Sequence, residues 1–280
     1  MLALLKRNFL LYFRNRSGVF FSLLGALISF ILYIIFLQKN LTDAWAQLPN
    51  SAPMLNNWLM SGTLAVTGIT TSLAALTQLV KDREHQVDQD LYLSDQGKWR
   101  LAFSYLTSAI IISFSMQILM YVLMCGYFRE VPTLSLLPEV LLIMLLSSLL
   151  SSLVNVIFVY FFQSVDSLGK FSTIVGTASG FLVGTYVPLG VLPDFAQLLM
   201  KCTPATYIAA LYRQVLMKEA LNETFKGQDN LLQEFQEKMG VQLKWQALLT
   251  KEQTYLIVLG GILLALGIWI SLAKRSSKRK

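Results

Sequence analysis

The sequence is poor in charge. Of 280 residues only 14% are Asp, Glu, Lys or Arg, against 55% hydrophobic, whereas a soluble domain carries about a quarter charged residues. Residues 101–200 hold just six: Arg129, Glu130, Glu139, Asp166, Lys170 and Asp194. That is too little polar surface to cover a water-soluble core of this size. Several uncharged runs reach the roughly 20 residues that a helix needs to cross a bilayer, and the ~10-residue alternating segments of a transmembrane barrel are missing. The expected class is therefore an all-α, polytopic membrane protein.

Other absences narrow the function. One histidine, His85, excludes a histidine-based metal cluster, and the two cysteines, Cys125 and Cys202, lie far apart with no CxxC, so metal-ligand spacing is absent. Cys125 sits in an apolar run and reads as buried filler. No paired acids interrupt the apolar runs, which speaks against a proton relay through buried carboxylates. No GxxxxGK[ST] is present, so the chain cannot cradle nucleotide phosphates, and any uphill work must draw on another polypeptide. An intramembrane enzyme is disfavoured by the same lack of a His, Cys or paired-acid site. The net charge of +7 has its own explanation: basic residues crowd the cytoplasmic ends of spans and face anionic lipid. They are not gathered with aromatics on one exposed surface, so no nucleic-acid partner is expected.

What is present is a series of apolar runs. Six spans are expected, at about 18–37, 58–80, 101–127, 138–163, 171–192 and 253–273. The uncharged run from Ser17 to Gln38 exceeds the 7–15 residues of a signal core and reads as a retained span. Basic residues number four in 1–17, four in 81–100, one in 166–170 and five in 274–280, against one each, Lys39 and Arg129, in the two short loops on the other side. This bias places both termini in the cytoplasm and the protein in the cell membrane. Ahead of the first span, Leu2, Leu5, Phe9 and Tyr12 recur at helical spacing beside Lys6, Arg7, Arg14 and Arg16. That pattern fits an interfacial helix, the alternative being an extended basic tail. Outer loops follow from Lys39, Asp43, Pro49 and Pro53, and from Arg129, Glu130 and Pro132. After the fifth span, Pro188, Gly190 and Pro193 break the helix, and two short amphipathic helices re-enter the bilayer or lie on its outer leaflet. A broken helix end at membrane depth demands that protein or water satisfy the freed carbonyls. The outer segment 193–252 is polar beyond residue 217, with one amphipathic helix carrying Leu231, Leu232, Phe235 and Met239. Residues 1–280 read as a single transmembrane domain.

Three features carry candidate function. Thr63, Thr67 and Thr70 fall near one face of the second span, where their hydroxyls either bond back to their own helix or form a polar wall of a translocation path. Gly176, Gly180 and Gly184 repeat every four residues and suit close packing, within one subunit or between two. The stretch from Lys81 to Arg100 places nine charges in twenty residues between apolar runs. Alone it reads as a solvated loop between two helices.

Three regions together resemble the membrane subunits (permeases) of ABC exporters of the type-2 class. They are KRNFLLYFRNRSGVFFSLL near the N-terminus; Asp82-Arg83-Glu84 after the second span, with Arg100 entering the third; and GTYVPLGVLPDFAQLLMKCTPATYIAALYRQVL, with Pro188, Pro193, Pro204, Tyr207 and Arg213. The likeness covers essentially the whole chain. It departs from the family pattern at Gln86, where glycine is common two positions after the Arg-Glu pair, and at Asp95-Gln96-Gly97, where a proline is common. The resemblance implies a dimer of permeases, homo- or heteromeric, with two cytoplasmic ATPase subunits that hold ATP and Mg, this chain itself binding no cofactor. It implies that 81–100 is the coupling loop, with Arg83, Glu84, Asp88 and Asp90 pairing across a rim and Val87, Leu91 and Tyr92 anchoring in an ATPase pocket. The second and fifth spans would line the path, and the Gly184, Pro188 and Pro193 region would close its outer face. Path residues without fixed charge suit an amphipathic cargo: a drug, an antimicrobial peptide or toxin, or a lipid. Alternatives are a polysaccharide or glycolipid exporter and a non-transporting sensor or immunity protein that sequesters a peptide.

Overall fold

The structure is a computed structural model that describes residues 1–38, 51–93, 97–129 and 134–278. The readings made for Lys39, Asp43, Pro49, Glu130, Pro132, Asp95 and Gln96 lie outside the described residues. Among the described residues the chain is helical throughout, apart from turns and one isolated bridge between Lys244 and Leu248. The helices are α1 Leu2–Arg14, α2 Arg16–Leu32 with a π-helical turn at Tyr33–Leu37, α3 Ser51–Glu84, α4 Val87–Leu93, α5 Gly97–Phe128, α6 Leu137–Val159 and α7 Val165–Leu182. After a 3-10 turn at Leu189–Val191 come α8 Asp194–Lys201, α9 Pro204–Leu216, α10 Lys218–Thr224, α11 Asp229–Lys238 and α12 Lys251–Lys278.

Local chemistry sets the helix ends. The Asn15 side chain accepts from Gly18 N at 3.0 Å and separates α1 from α2. Ser164 caps α7 by accepting from Ser167 N at 3.3 Å, with Asp166 in the first turn, where a carboxylate complements the helix dipole. Pro138 and Pro204 open α6 and α9, where a missing N–H costs nothing.

Among the described residues, five helices are long and apolar enough to cross a membrane: Arg16–Phe36, Ala52–Glu84, Trp99–Phe128, Leu137–Val159 and Lys251–Lys274. The protein is a multi-pass membrane protein. The expected run 171–192 is different: α7 starts earlier and stops at Leu182. Ser, Thr and Gly dilute its hydropathy, and Gly184 at φ +70° turns the chain away. The expected fourth span, α6, likewise ends at Val159 and not at 163.

The centre of the bundle is α3, of which 78% of the apolar window is buried, against 28% for α2 and 17% for α12. It packs on α2, α5, α6, α7 and α9. Where α3 meets α5 and α6 the contact is built on small and polar groups. Ser113 Oγ donates to Gly68 O at 3.1 Å, and Asn155 Nδ2 donates to Ile69 O and Ser72 Oγ, both at 2.9 Å. A Cβ at Gly68 would lie 2.6 Å from Ser147 Oγ, so glycine sets the separation of the helices.

The bundle has two distinct ends. One carries α1, α4 and the turn 160–164. At the other, α9 threads between α3, α6 and α12 with Thr206–Arg213 buried, so this helix lies inside the bundle and not along its surface. Residues 217–241 cover that end. Met217, Leu221, Phe225, Phe235, Met239 and Val241 share an apolar cluster with Leu55, Trp58 and Leu59 of α3. The helix expected around Phe235 is α11, which buries Phe235 and leaves Leu231 exposed.

Candidate functional site

At the first end, the charged stretch is mostly helix. α3 continues to Glu84, Gln86 makes the turn at φ +58°, α4 runs from Val87 to Leu93, and Gly97 at φ +64° opens α5. Gln86 thus sits in a left-handed conformation where a residue with a Cβ costs about 1–2 kcal/mol, which gives the glycine common in the resembled family a physical reason.

Asp82 organises this end. It is 2% exposed and accepts four hydrogen bonds. Arg7 grips it in bidentate fashion, Nη1 to Oδ2 at 2.7 Å and Nη2 to Oδ1 at 2.8 Å; Gln78 Nε2 donates to Oδ1 at 2.7 Å; and the Tyr105 hydroxyl donates to Oδ2. One carboxylate therefore joins α1, α3 and α5. Asn8 adds a bond to Ser108 Oγ at 3.3 Å. The hydrogen bond to Asp82 holds the Arg7 guanidinium even more firmly protonated than usual. Tyr12 packs α1 on α2 and hydrogen-bonds Ser22 Oγ at 2.7 Å; burial pushes its pKa up to about 12. The amphipathic N-terminus is thus a docked helix, with Leu4 and Asn8 buried and Leu2, Phe9 and Leu10 exposed.

Arg83 and Glu84 turn toward the chain's own second turn. Arg83 Nη1 donates to Phe162 O at 2.8 Å and Tyr160 O at 3.3 Å, and Glu84 Oε2 accepts from Val165 N at 2.9 Å. A cation meets the carbonyl end of α6 and an anion meets the amide end of α7, as the two helix dipoles favour. On α4, Leu91 packs on the cluster that includes Leu76, Val80 and Leu101. Val87 and Asp88 are half-buried and Asp90 is exposed; the side chain of Tyr92 lies outside the described set.

Of the threonines, Thr63 and Thr67 are fully buried, and Thr67 Oγ1 bonds back to Thr63 O at 2.8 Å. Thr70 bonds back to Val66 O at 3.2 Å and lines an open groove of about 400 Å³ between α2, α3 and α7, with Thr77, Thr173 and Thr177. The three glycines do separate jobs. The carbonyl of Gly176 approaches Gly25 on α2, where a Cβ would sit 3.1 Å away. A Cβ at Gly180 would fall 2.2 Å from the Tyr186 ring. Gly184 ends the helix.

That ending is the second candidate site. Gly184 N donates to Phe181 O at 3.0 Å and Thr185 N to Gly180 O at 2.8 Å, the Schellman pairing that follows a left-handed glycine. The remaining carbonyls are met by side chains of α9. Thr206 Oγ1 donates to Leu182 O at 2.8 Å, and Arg213 Nη2 donates to Gly184 O at 2.8 Å and Val183 O at 3.2 Å. Arg213 Nη1 reaches on to Gly240 O at 3.1 Å, and the guanidinium lies 5.0 Å over the Trp58 ring. Arg213 is 1% exposed. It locks the broken helix end, the buried α9, the cover over the bundle and the central helix to one another. Pro188 is buried, whereas Pro193 stands exposed ahead of α8, whose Phe195, Leu198 and Leu199 face outward.

Arg7 and Tyr105 were not among the residues singled out from sequence, and Asp82 and Arg213 entered only as part of the resembled stretches, with no role of their own. Arg213 carried a signal, a lone cation in the apolar run TYIAALYRQVL. Asp82 and Arg7 carried none as a pair, being 75 positions apart. No curated protein compared matches the chain. The family description for the ABC-2 type transporter matches residues 1–217, which takes in α1, α3, the 81–100 stretch, α7, the broken end and α9. The chain belongs to the ABC-2 type transporter family and is a membrane permease component of it.

Proposed function

We propose that this permease is the membrane subunit of an ATP-driven exporter in the cell membrane, working as a dimer with separate ATPase subunits that hold ATP and Mg. The observation that carries the reading is the junction at the charged end. Asp82 ties α1, α3 and α5 together, while Arg83 and Glu84 clamp α3 to the turn between α6 and α7. A partner that engages α4 from the cytoplasm moves five helices as one body, through Asp88 and Asp90 as rim charges and Val87 on the apolar side, while Leu91 keeps α4 seated on the bundle. Arg83 and Glu84 act in this scheme by transmitting the push. In this topology α7 is a short fifth span, about 27 Å long at 1.5 Å per residue, and α12 the sixth; both termini are cytoplasmic, and residues 184–216 form a re-entrant hairpin.

The groove walled by Thr70, Thr77, Thr173 and Thr177 is open along α2 and α7. A second permease seated there would close it into a path lined by hydroxyls and small residues without fixed charge, which supports an amphipathic cargo. The exposed Val191, Phe195, Leu198 and Leu199 would form its outer gate. A peptide-sequestering role for residues 217–241 is less well supported, because their apolar side is already used against Leu55, Trp58 and Leu59.

Co-expression with the ATPase encoded beside the gene, followed by co-purification and ATP hydrolysis in nanodiscs, tests the reading. The complex is expected to survive Arg83→Ala and Glu84→Ala and to hydrolyse ATP, with export uncoupled. Failure of every candidate ATPase to associate would overturn the exporter assignment.

A further inference from the structure

A second groove, of about 620 Å³, lies between α5 and α6 at the end away from α1. Ile118, Tyr121, Val140 and Met144 give it apolar walls, Gly126 leaves it open, and Arg129, at the end of α5, is the one charged residue among the described residues that line it. Along α5 it runs from Ile118 to Arg129, about 16 Å at 1.5 Å per residue, which is half of a hydrocarbon core about 30 Å thick. The groove therefore has the length of one leaflet, with its cation at the head-group level. None of the ion pairs among the described residues uses Arg129, and Glu139 at the start of α6 is taken by Lys251 at 2.8 Å and by Tyr255 at 3.2 Å.

We propose that this groove holds one acyl chain of an anionic membrane lipid, with the phosphate of the head group on Arg129. The apolar walls supply no discrimination among lipids, since every acyl chain fills them alike. Selectivity comes from the guanidinium, a good donor to phosphate. The site needs only that the helices lie in a bilayer. It does not depend on the cargo or on the ATPase, so it stands or fails separately from the exporter reading.

The test uses the full chain in nanodiscs of equal phosphatidylglycerol and phosphatidylcholine, with lipid retained per chain read by native mass spectrometry. The parent protein is expected to keep one phosphatidylglycerol at about fivefold preference, the scale of one basic residue at an anionic surface. Arg129→Asn, which keeps a residue that tolerates the φ of +55°, should bring the two lipids to parity. A Cβ at Gly126 meets nothing within 4 Å, so Gly126→Leu should fill the groove, leave the fold intact and abolish retention of both. Equal retention by the parent, or an unchanged preference in Arg129→Asn, overturns the proposal. So does a disulfide-linked dimer through Val122→Cys in a Cys125→Ser, Cys202→Ser background, because it would mean that a second copy covers the groove.

Discussion

Replacing Arg213 by methionine removes the donors to three buried carbonyls, those of Val183, Gly184 and Gly240. A hydrogen bond to a charged group contributes about 1.5–3 kcal/mol, so the gross loss is several kcal/mol. Two terms oppose it. Desolvation of the buried guanidinium, itself several kcal/mol, disappears, and the methionine sulfur recovers part of the contact with Trp58, about 1 kcal/mol. The net expectation is a loss of about 2–4 kcal/mol, read as a drop in Tm of roughly 5–15 °C at about 2–4 °C per kcal/mol. Thermal melting in detergent gives the size. Hydrogen exchange gives the place, since the Thr185 and Tyr186 amides, which bond to Gly180 O, should lose protection first. Arg213→Lys should fall between the two, because one ammonium cannot serve carbonyls on both sides of the fork. A methionine variant within 2 °C of the parent, with those amides still protected, would refute the view that this one side chain holds the helix end.

Three further substitutions probe the same reasoning. Arg7→Ala should cost about 3–5 kcal/mol, because it leaves the buried carboxylate of Asp82, 2% exposed, without its cation. Asp82→Ala should cost less, because the Arg7 side chain is 30% exposed and can turn to water, and a double-mutant cycle in a denaturant titration should return a positive coupling between the two. Gln86→Gly should raise Tm slightly, as relief of left-handed strain of about 1–2 kcal/mol exceeds the added chain entropy of about 0.5–1 kcal/mol; Gln86→Val should lower it, since a β-branched residue fits that conformation worst. Gly180→Ala should destabilise by about 1–3 kcal/mol through overpacking on the Tyr186 ring, and adding Tyr186→Ala should cancel that increment, which melting curves of the single and double variants would show.

Much of the architecture could be read from hydropathy because it depends on runs of one character. Gly18 to Leu37, Leu101 to Tyr127 and the final span are uniform enough that the pattern alone finds them. Hydropathy does not register backbone conformation, so the apolar letters from Phe181 to Leu192 look continuous although the helix stops at Leu182. The glycine repeat pointed to a single packing face, but Gly184 serves through its φ and Gly180 through the space it leaves for Tyr186, neither of which a spacing rule contains. The requirement that freed carbonyls find donors was legible in Pro188 and Pro193; the identity of the donor was not, since Arg213 reaches them only after α9 folds back. Likewise the charges of 81–100 announced an exposed loop, while the acid that matters most to its anchoring is the buried one, Asp82, whose partner lies near the N-terminus.

The indole of Trp58 donates to Met239 O at 2.7 Å across 181 positions of sequence. During synthesis the central helix enters the bilayer long before that carbonyl exists. Until then the end of α3 that carries Leu55, Trp58 and Leu59 lacks the apolar residues that will cover it, and the Trp58 ring has no guanidinium above it. The early helices therefore reach their final packing only when about the last quarter of the chain, from Met217 on, has been made, so a truncation there unseats a helix near the beginning of the protein.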